Sequence, residues 1–304
     1  MTEALEGLLT IAFGRKQFVR MAKALALSYR RLAPKRPFAV VTDSSNKYLL
    51  MDYFDKVIVV NPEYGSGVVQ KLHADLYSPF NKTLFVDSDC LFYKNPEGVW
   101  NIYEGKPFSV RGWRYLTGNS EYERRTPYPW LTDTADFLAK LGLNRLPLFN
   151  SGLFYFDRSD TSRALFSIAR SIYASRSTLG FIKFKDAPLA DEPVFAAAME
   201  RCGIEMLPWD PKNGMETAID MTNPFGINVL HGRSKFLKRG IVCEPAVIHF
   251  NINYQDSFIY NREIYRLACD AGRLPPVLAN GATLARIAKP SANQVVTSFK
   301  TIFG

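Results

Sequence analysis

In Thr83-Leu84-Phe85-Val86-Asp87-Ser88-Asp89 a run of strand formers stops abruptly on two carboxylates. Bulky apolar side chains without polar alternation read as a strand buried on both faces. Asp87 and Asp89, where the chain leaves that strand, are costly to hold beside a core without a cation or hydrogen-bond donors. Both can reach one ion as the chain turns away, and hard oxygen ligands favour Mg²⁺ or Mn²⁺. A D-x-D step also arises by chance, and a solvated turn is the plain alternative, so its weight depends on what surrounds it.

Upstream, Leu8-Leu9-Thr10-Ile11-Ala12-Phe13 reads as another buried strand, and Gln17 to Leu32 places Val19, Ala22, Leu25, Ala26 and Tyr29 at helical spacing before Pro34 and Pro37. Phe38 to Thr42 is a second strand, Tyr48 to Tyr53 a short helix or turn, and Lys56 to Val60 a third strand. This alternation implies parallel strands covered on both faces, with ligand groups at their carboxyl ends. Val68 to Tyr77 reads as a short helix that feeds the strand ending at Asp87.

Downstream, the stretch from Arg111 to Pro147 is irregular and rich in aromatics, among them Trp113, Tyr115, Tyr122, Tyr128 and Trp130. It is either a sugar-binding wall, since such rings offer flat apolar faces with polar edges, or a flap packed on the core. Asn150-Ser151-Gly152 introduces a strand running to Asp157, and Thr161 to Ser175 follows as a helix. Asp191-Glu192-Pro193 opens a helix through Met199, where acids also suit the helix dipole. A short strand is expected over Ile204 to Leu207, a histidine-ended one over Ala246 to Phe250, and a last helix over Tyr260 to Asp270.

The chain has 304 residues, 47% of them hydrophobic, enough for one large α/β domain or two small ones. Glu3 and Glu6 stand where a signal peptide would carry basic residues, and apolar runs are strand-sized, so a cytoplasmic protein is expected. The four cysteines are widely spaced and form neither a zinc pattern nor a disulfide framework. The net charge of +9 favours anionic partners, but the basic residues are dispersed and no nucleic-acid motif occurs, so no nucleic acid is expected.

The order of these blocks resembles the GT-A fold glycosyltransferases of the glycogenin and lipooligosaccharide galactosyltransferase type. Lys71-Leu72 with Tyr77 to Asp89 is similar to that family's lysine, helix, strand and DxD block. Asn150-Ser151-Gly152 resembles its strand entry, Asp191-Glu192 its Asp-Gln step, and Ile248-His249-Phe250 its late histidine strand. The resemblance implies an α/β fold of GT-A type, a Rossmann-like mixed sheet flanked by helices, as a single nucleotide-sugar-binding domain over residues 1–270. It implies Asp87, Asp89 and His249 as ligands of Mn²⁺ or Mg²⁺. Ala12, Phe13, Gly14, Lys71, Ser88, Asn150, Ser151 and Gly152 fall in the donor pocket, and Asp191 and Glu192 become the carboxylates nearest the anomeric carbon. The implied reaction moves a hexose from a nucleoside-diphosphate sugar, UDP by default, to a glycan or glycolipid acceptor with retention. On the residues alone, Lys71 reads as an exposed helix lysine and Asn150-Ser151-Gly152 as a turn.

The family pattern is broken at Ile252 and Gln255, where glycine and lysine usually hold the diphosphate. His231-Gly232-Arg233-Ser234-Lys235 is the substitute candidate, with Arg233 and Lys235 as its cations. The first strand is followed by Gly14-Arg15-Lys16-Gln17 rather than the acidic or amide residue that holds base and ribose in the family. Residues 271–304 form a basic C-terminal extension with Arg273, Arg286, Lys289 and Lys300 and no acid, suited to peripheral contact with an anionic membrane face.

Overall fold

A computed structural model describes residues 5–184 and 187–273. The chain opens with β1 (Glu6–Ile11), α1 (Lys16–Arg30), β2 (Phe38–Thr42), α2 (Lys47–Leu50) and β3 (Lys56–Val59). A 3-10 stretch, Gly67–His73, continues into α3 (Ala74–Tyr77) and then β4 (Lys82–Val86). Next come β5 (Cys90–Phe92), α4 (Pro96–Tyr103), β6 (Phe108–Ser109), β7 (Arg111–Leu116), α5 (Glu121–Arg125) and α6 (Thr134–Leu141). They are followed by β8 (Leu146–Phe149), β9 (Leu153–Asp157), α7 (Asp160–Ala174) and α8 (Glu192–Arg201). The remainder is β10 (Leu207–Pro208), β11 (Met215–Thr217), β12 (Met221–Asn228), β13 (Arg233–Lys238), β14 (Ile241–Cys243), β15 (Val247–His249) and α9 (Phe258–Asp270).

Six strands make one sheet in the order β3-β2-β1-β4-β9-β6. β2 with β3 and β1 with β4 are parallel, as the opening alternation predicts, while β6 meets β9 antiparallel, so the sheet is mixed. β2 is buried at every position, which its sequence Phe-Ala-Val-Val-Thr explains. Among the described residues no helix is long and apolar enough to cross a membrane, and none of the four cysteines is in a disulfide.

The chain divides into two compact units. One comprises the described residues up to Leu9, Asn61–Phe85 and the described residues of Tyr103–Trp209. Its core is aromatic: Phe154 stacks on Phe85 at 4.6 Å between ring centroids and lies 5.3 Å from Phe108, and Phe195 and Phe166 close the cluster. The other unit comprises Thr10–Val60, Val86–Ile102 and the described residues from Asp210 onward. There Met21, Leu91, Tyr93, Ile248, Phe250, Tyr260 and Ile264 share one buried cluster.

Several expectations are corrected. The irregular stretch from Arg111 to Pro147 contains β7, α5 and α6 and runs into β8. Its strand pairing was hidden by Gly112, where a Cβ would stand 2.7 Å from the Leu148 carbonyl oxygen and 2.4 Å from the Met206 sulfur. The strand expected from Asn150 begins at Leu153, and Asn150-Ser151-Gly152 is the turn between β8 and β9. Of the helix expected over Val68 to Tyr77, the part up to His73 is 3-10, in keeping with the glycine and paired valines that begin it. The strand at Ile204 shrinks to Leu207–Pro208, and residues 210–245 hold four unforeseen short strands, three of them the antiparallel sheet β12-β13-β14. Of the basic extension, residues 274–304 lie outside the described residues.

The 3-10 stretch is fixed from its own side chains. Gln70 donates to the carbonyls of Asn61 and Gly65 at 2.9 and 2.7 Å, and the His73 ring stacks on Tyr64 at 4.1 Å. Burial, with the Arg170 charge beside it, lowers the His73 pKa to about 4. An unfolded histidine takes its proton near pH 6.5, whereas folded His73 resists until about 4. The stability this contributes is present above the unfolded value and is lost as pH falls across that window. Thermal melts over a pH series should show a decline in that window that His73→Gln flattens.

Candidate functional site

Two clusters of chemically able side chains form, one in each unit. In the first, Lys71 leaves the 3-10 stretch, Ser151 sits in the turn between β8 and β9, and Asp191 stands at the N-cap of α8. All three are buried, at 7%, 2% and 3% exposure. The Lys71 ammonium lies 3.3 Å from Asp191 Oδ2 and 3.4 Å from Ser151 Oγ, and Ser151 donates to the same Oδ2 at 2.6 Å. Lys71 is therefore not the exposed helix lysine that its sequence context predicts. Asp191 occupies a capping position but makes no side-chain cap; its carboxylate is committed to Lys71 and Ser151 instead.

Beside this triad, Asn150 Nδ2 donates to Glu192 Oε1 at 3.0 Å, while Asn150 Oδ1 accepts from the Gly152 amide at 3.0 Å. The short side chain of Asn150 thus fixes both its own turn and the neighbouring acid. Tyr128, nearly fully buried, donates to the Pro147 carbonyl at 3.2 Å. Burial first, then the charges of Glu192 and Asp191, push its phenol well above the usual range, so it stays protonated against the acids. This settles Tyr128 as core rather than wall. Trp113 and Tyr122 are exposed, and Trp113 lies at a break in the β7–β8 register between Gly112 and Arg114. Gly112 faces Phe149, the residue before Asn150.

In the second unit, Asp87-Ser88-Asp89 is the turn into β5, and β5 pairs antiparallel with β15, placing Cys90 opposite His249. The Phe250 amide donates to the Asp89 carbonyl at 3.0 Å and holds the turn against β15. His249 Nε2 lies 3.0 Å from Asp89 Oδ1 and 3.6 Å from Asp87 Oδ2. Two ligands at about 2.1 Å from one ion and at right angles to each other stand about 3 Å apart, so the Asp89–His249 spacing fits a shared divalent cation. Carboxylate oxygen with imidazole nitrogen suits Mn²⁺ and its neighbours. Gln255, in the 3-10 turn Ile252–Asp256, donates to Asp89 Oδ2 at 2.6 Å. Gln255, where the sequence resemblance leads one to expect a lysine, is thus engaged with a carboxylate.

Ala12, Phe13 and Gly14 follow β1, with the Ala12 amide donating to the Val41 carbonyl at 2.8 Å and Thr42 Oγ1 donating to the Ala12 carbonyl at 2.6 Å. Gly14, at φ 85°, donates its amide to Asp43 Oδ2 at 2.6 Å. Asp43 was missed in the sequence; an acid directly after the apolar strand β2 was the available signal. Arg233 and Lys235 lie exposed on β13 around buried Ser234, and β13 pairs with β12 and β14 rather than with the strand that carries His249. The close neighbour of Gly232 is the Tyr93 carbonyl oxygen, 3.0 Å from where a Cβ would stand.

No family model matches the sequence, and no curated protein matches it. Solved structures do. The galactosyltransferase LgtC, in complex with donor and acceptor sugar analogs, superposes at a TM-score of 0.55 with 14% identity, covering 89% of this chain and 97% of that one. The chain has the GT-A fold. LgtC as a glutamine-to-glutamate active-site mutant matches at a TM-score of 0.53 and 14% identity, covering 87% and 95%.

Lys71→Met strands a buried Asp191 carboxylate, and removing one partner of a buried pair costs about 3–5 kcal/mol. Urea unfolding should register that loss, and the double variant Lys71→Met, Asp191→Asn should regain part of it. Equal losses in both variants would show that the two charges are not coupled.

Proposed function

We propose that the chain is a metal-dependent glycosyltransferase that moves a hexose from a nucleoside-diphosphate sugar, UDP-sugar by default, to a glycan or glycolipid acceptor with retention. The observation that carries this reading is the convergence of Lys71, Ser151 and Asp191, with Asn150 and Glu192 beside them, from three separate chain segments. The fold shared with a galactosyltransferase solved with donor and acceptor sugar analogs supports it.

Lys71 presents an ammonium to donor hydroxyl or phosphate oxygens, and Asn150, Ser151 and Gly152 contribute a polar turn against the sugar. Asp191 is held in one orientation by two donors, so its charge is already placed when the sugar arrives and needs no reorganisation. Glu192, steadied by Asn150, offers a carboxylate to the positive charge that develops at an anomeric centre. The resemblance pairs Glu192 with the family's glutamine, so this chain carries an acid where an amide is usual.

A divalent ion, Mn²⁺ or Mg²⁺, supplies Lewis-acid neutralisation of the leaving diphosphate when bound, and Asp87, Asp89 and His249 would hold it. Arg233 and Lys235 are retained as diphosphate cations, supported by their exposure and charge. Ala12, Phe13, Gly14 and Ser88 complete the donor contacts, with Asp43 added through its bond to Gly14. Exposed Trp113 at the strand irregularity is the acceptor platform, because bulges re-aim side chains beside active sites. Peripheral contact with an anionic membrane face through residues 271–304 rests on the acid-free sequence after Asp270.

Incubation with a panel of nucleotide sugars and Mn²⁺ should release nucleoside diphosphate. Asp89→Ala and Asp191→Asn should each lower the rate by about 100-fold or more, the scale of losing one placed electrostatic group. Undiminished turnover in Asp89→Ala would remove the metal assignment, and pyrophosphate exchange instead of diphosphate release would replace glycosyl transfer with nucleotidyl transfer.

A further inference from the structure

We infer that Cys90 is a sulfur ligand of the ion site and makes it selective for thiophilic divalent cations such as Co²⁺ and Zn²⁺ over Mg²⁺. The inference rests on the reading of Asp89 and His249 as ligands and extends it to a residue outside the D-x-D pattern. Asp89 oxygen, Cys90 sulfur and His249 nitrogen all lie within 4.8 Å of one another, and all three residues are buried. Register explains the approach. Cys90 and His249 are direct partners across β5 and β15, and directly opposed residues share a face with Cβ atoms about 5 Å apart. Asp89 joins them from the turn just before β5, where it is not bound by strand alternation.

Asp89 Oδ1 faces His249 Nε2 at 3.0 Å, and Gln255 donates to Asp89 Oδ2 at 2.6 Å. Coordination replaces the thiol proton with the cation, the proton passing to solvent. Thiolate with imidazole and one carboxylate is a borderline-soft set that suits Zn²⁺ and Co²⁺ and gives Mg²⁺ little, since Mg²⁺ takes oxygen ligands in near-octahedral geometry.

The test uses the full chain freed of metal with a chelator and titrated with Co²⁺ alone, without nucleotide, by calorimetry and near-ultraviolet absorption. A thiolate-to-cobalt charge-transfer band should grow with the first equivalent bound. It should vanish in Cys90→Ser and in Cys90→Val, the latter a strand former suited to the buried position, and persist in Cys202→Ser, Cys243→Ser and Cys269→Ser. Zn²⁺ affinity should fall by about tenfold or more in the Cys90 variants. Co²⁺ binding without the band, or a band that survives in a folded Cys90 variant, would overturn the inference while leaving Asp89 and His249 as ligands. Absence of calorimetric Co²⁺ binding to the unaltered chain would overturn the metal reading itself and the inference with it.

Discussion

An ammonium and a carboxylate, both out of water, stand 3.3 Å apart at Lys71 and Asp191. Neither could be buried alone, because an unpaired ion in a core costs several kcal/mol even after relaxation. The need to satisfy both explains much of the surrounding structure. Ser151 must turn its hydroxyl to Asp191, which fixes the turn between β8 and β9. The Gly67–His73 stretch must end where Lys71 can reach, which Gln70 and the Tyr64–His73 stack secure. Phe85 supplies an aromatic ring 5.6 Å from the ammonium, a further favourable contact for a desolvated cation.

The second cluster depends on strand register rather than on a single pair. Because Thr217, His249 and Cys90 lie across from one another on β11, β15 and β5, the imidazole is held from both sides in the middle of a small sheet. Behind it, Lys238 bonds to Glu216 Oε1 and Thr217 Oγ1, each at 2.6 Å, so even the buried acid of this sheet is neutralised.

Periodicity made the opening alternation and the long helices legible, since α1, α7 and α9 carry clear apolar faces and β2 and β4 are unbroken apolar runs. The candidate site residues were legible as an ordered series of blocks, and the structure brings Lys71, Asn150, Ser151, Asp191 and Glu192 together. What stayed hidden follows from long-range contacts. β7 was masked by Gly112, whose role is set by Leu148 and Met206. The sheet β12-β13-β14 is held by cross-strand pairing with no helical or alternating signature of its own. Burial of Lys71 could not be read locally either, because its partner lies 120 residues away in Asp191. Gln255 looked only like a missing lysine until its bond to Asp89 gave it a place.

The central claim is that the buried Lys71–Ser151–Asp191 cluster recognises a donor sugar. Calorimetric titration of the chain with a nucleotide sugar and with the matching nucleoside diphosphate, in the presence of Mn²⁺, tests it most directly. The account predicts that the unaltered chain binds the nucleotide sugar more tightly than the diphosphate, and that Asp191→Asn abolishes the difference while binding the diphosphate as before. An unchanged difference in a folded Asp191→Asn variant would contradict it.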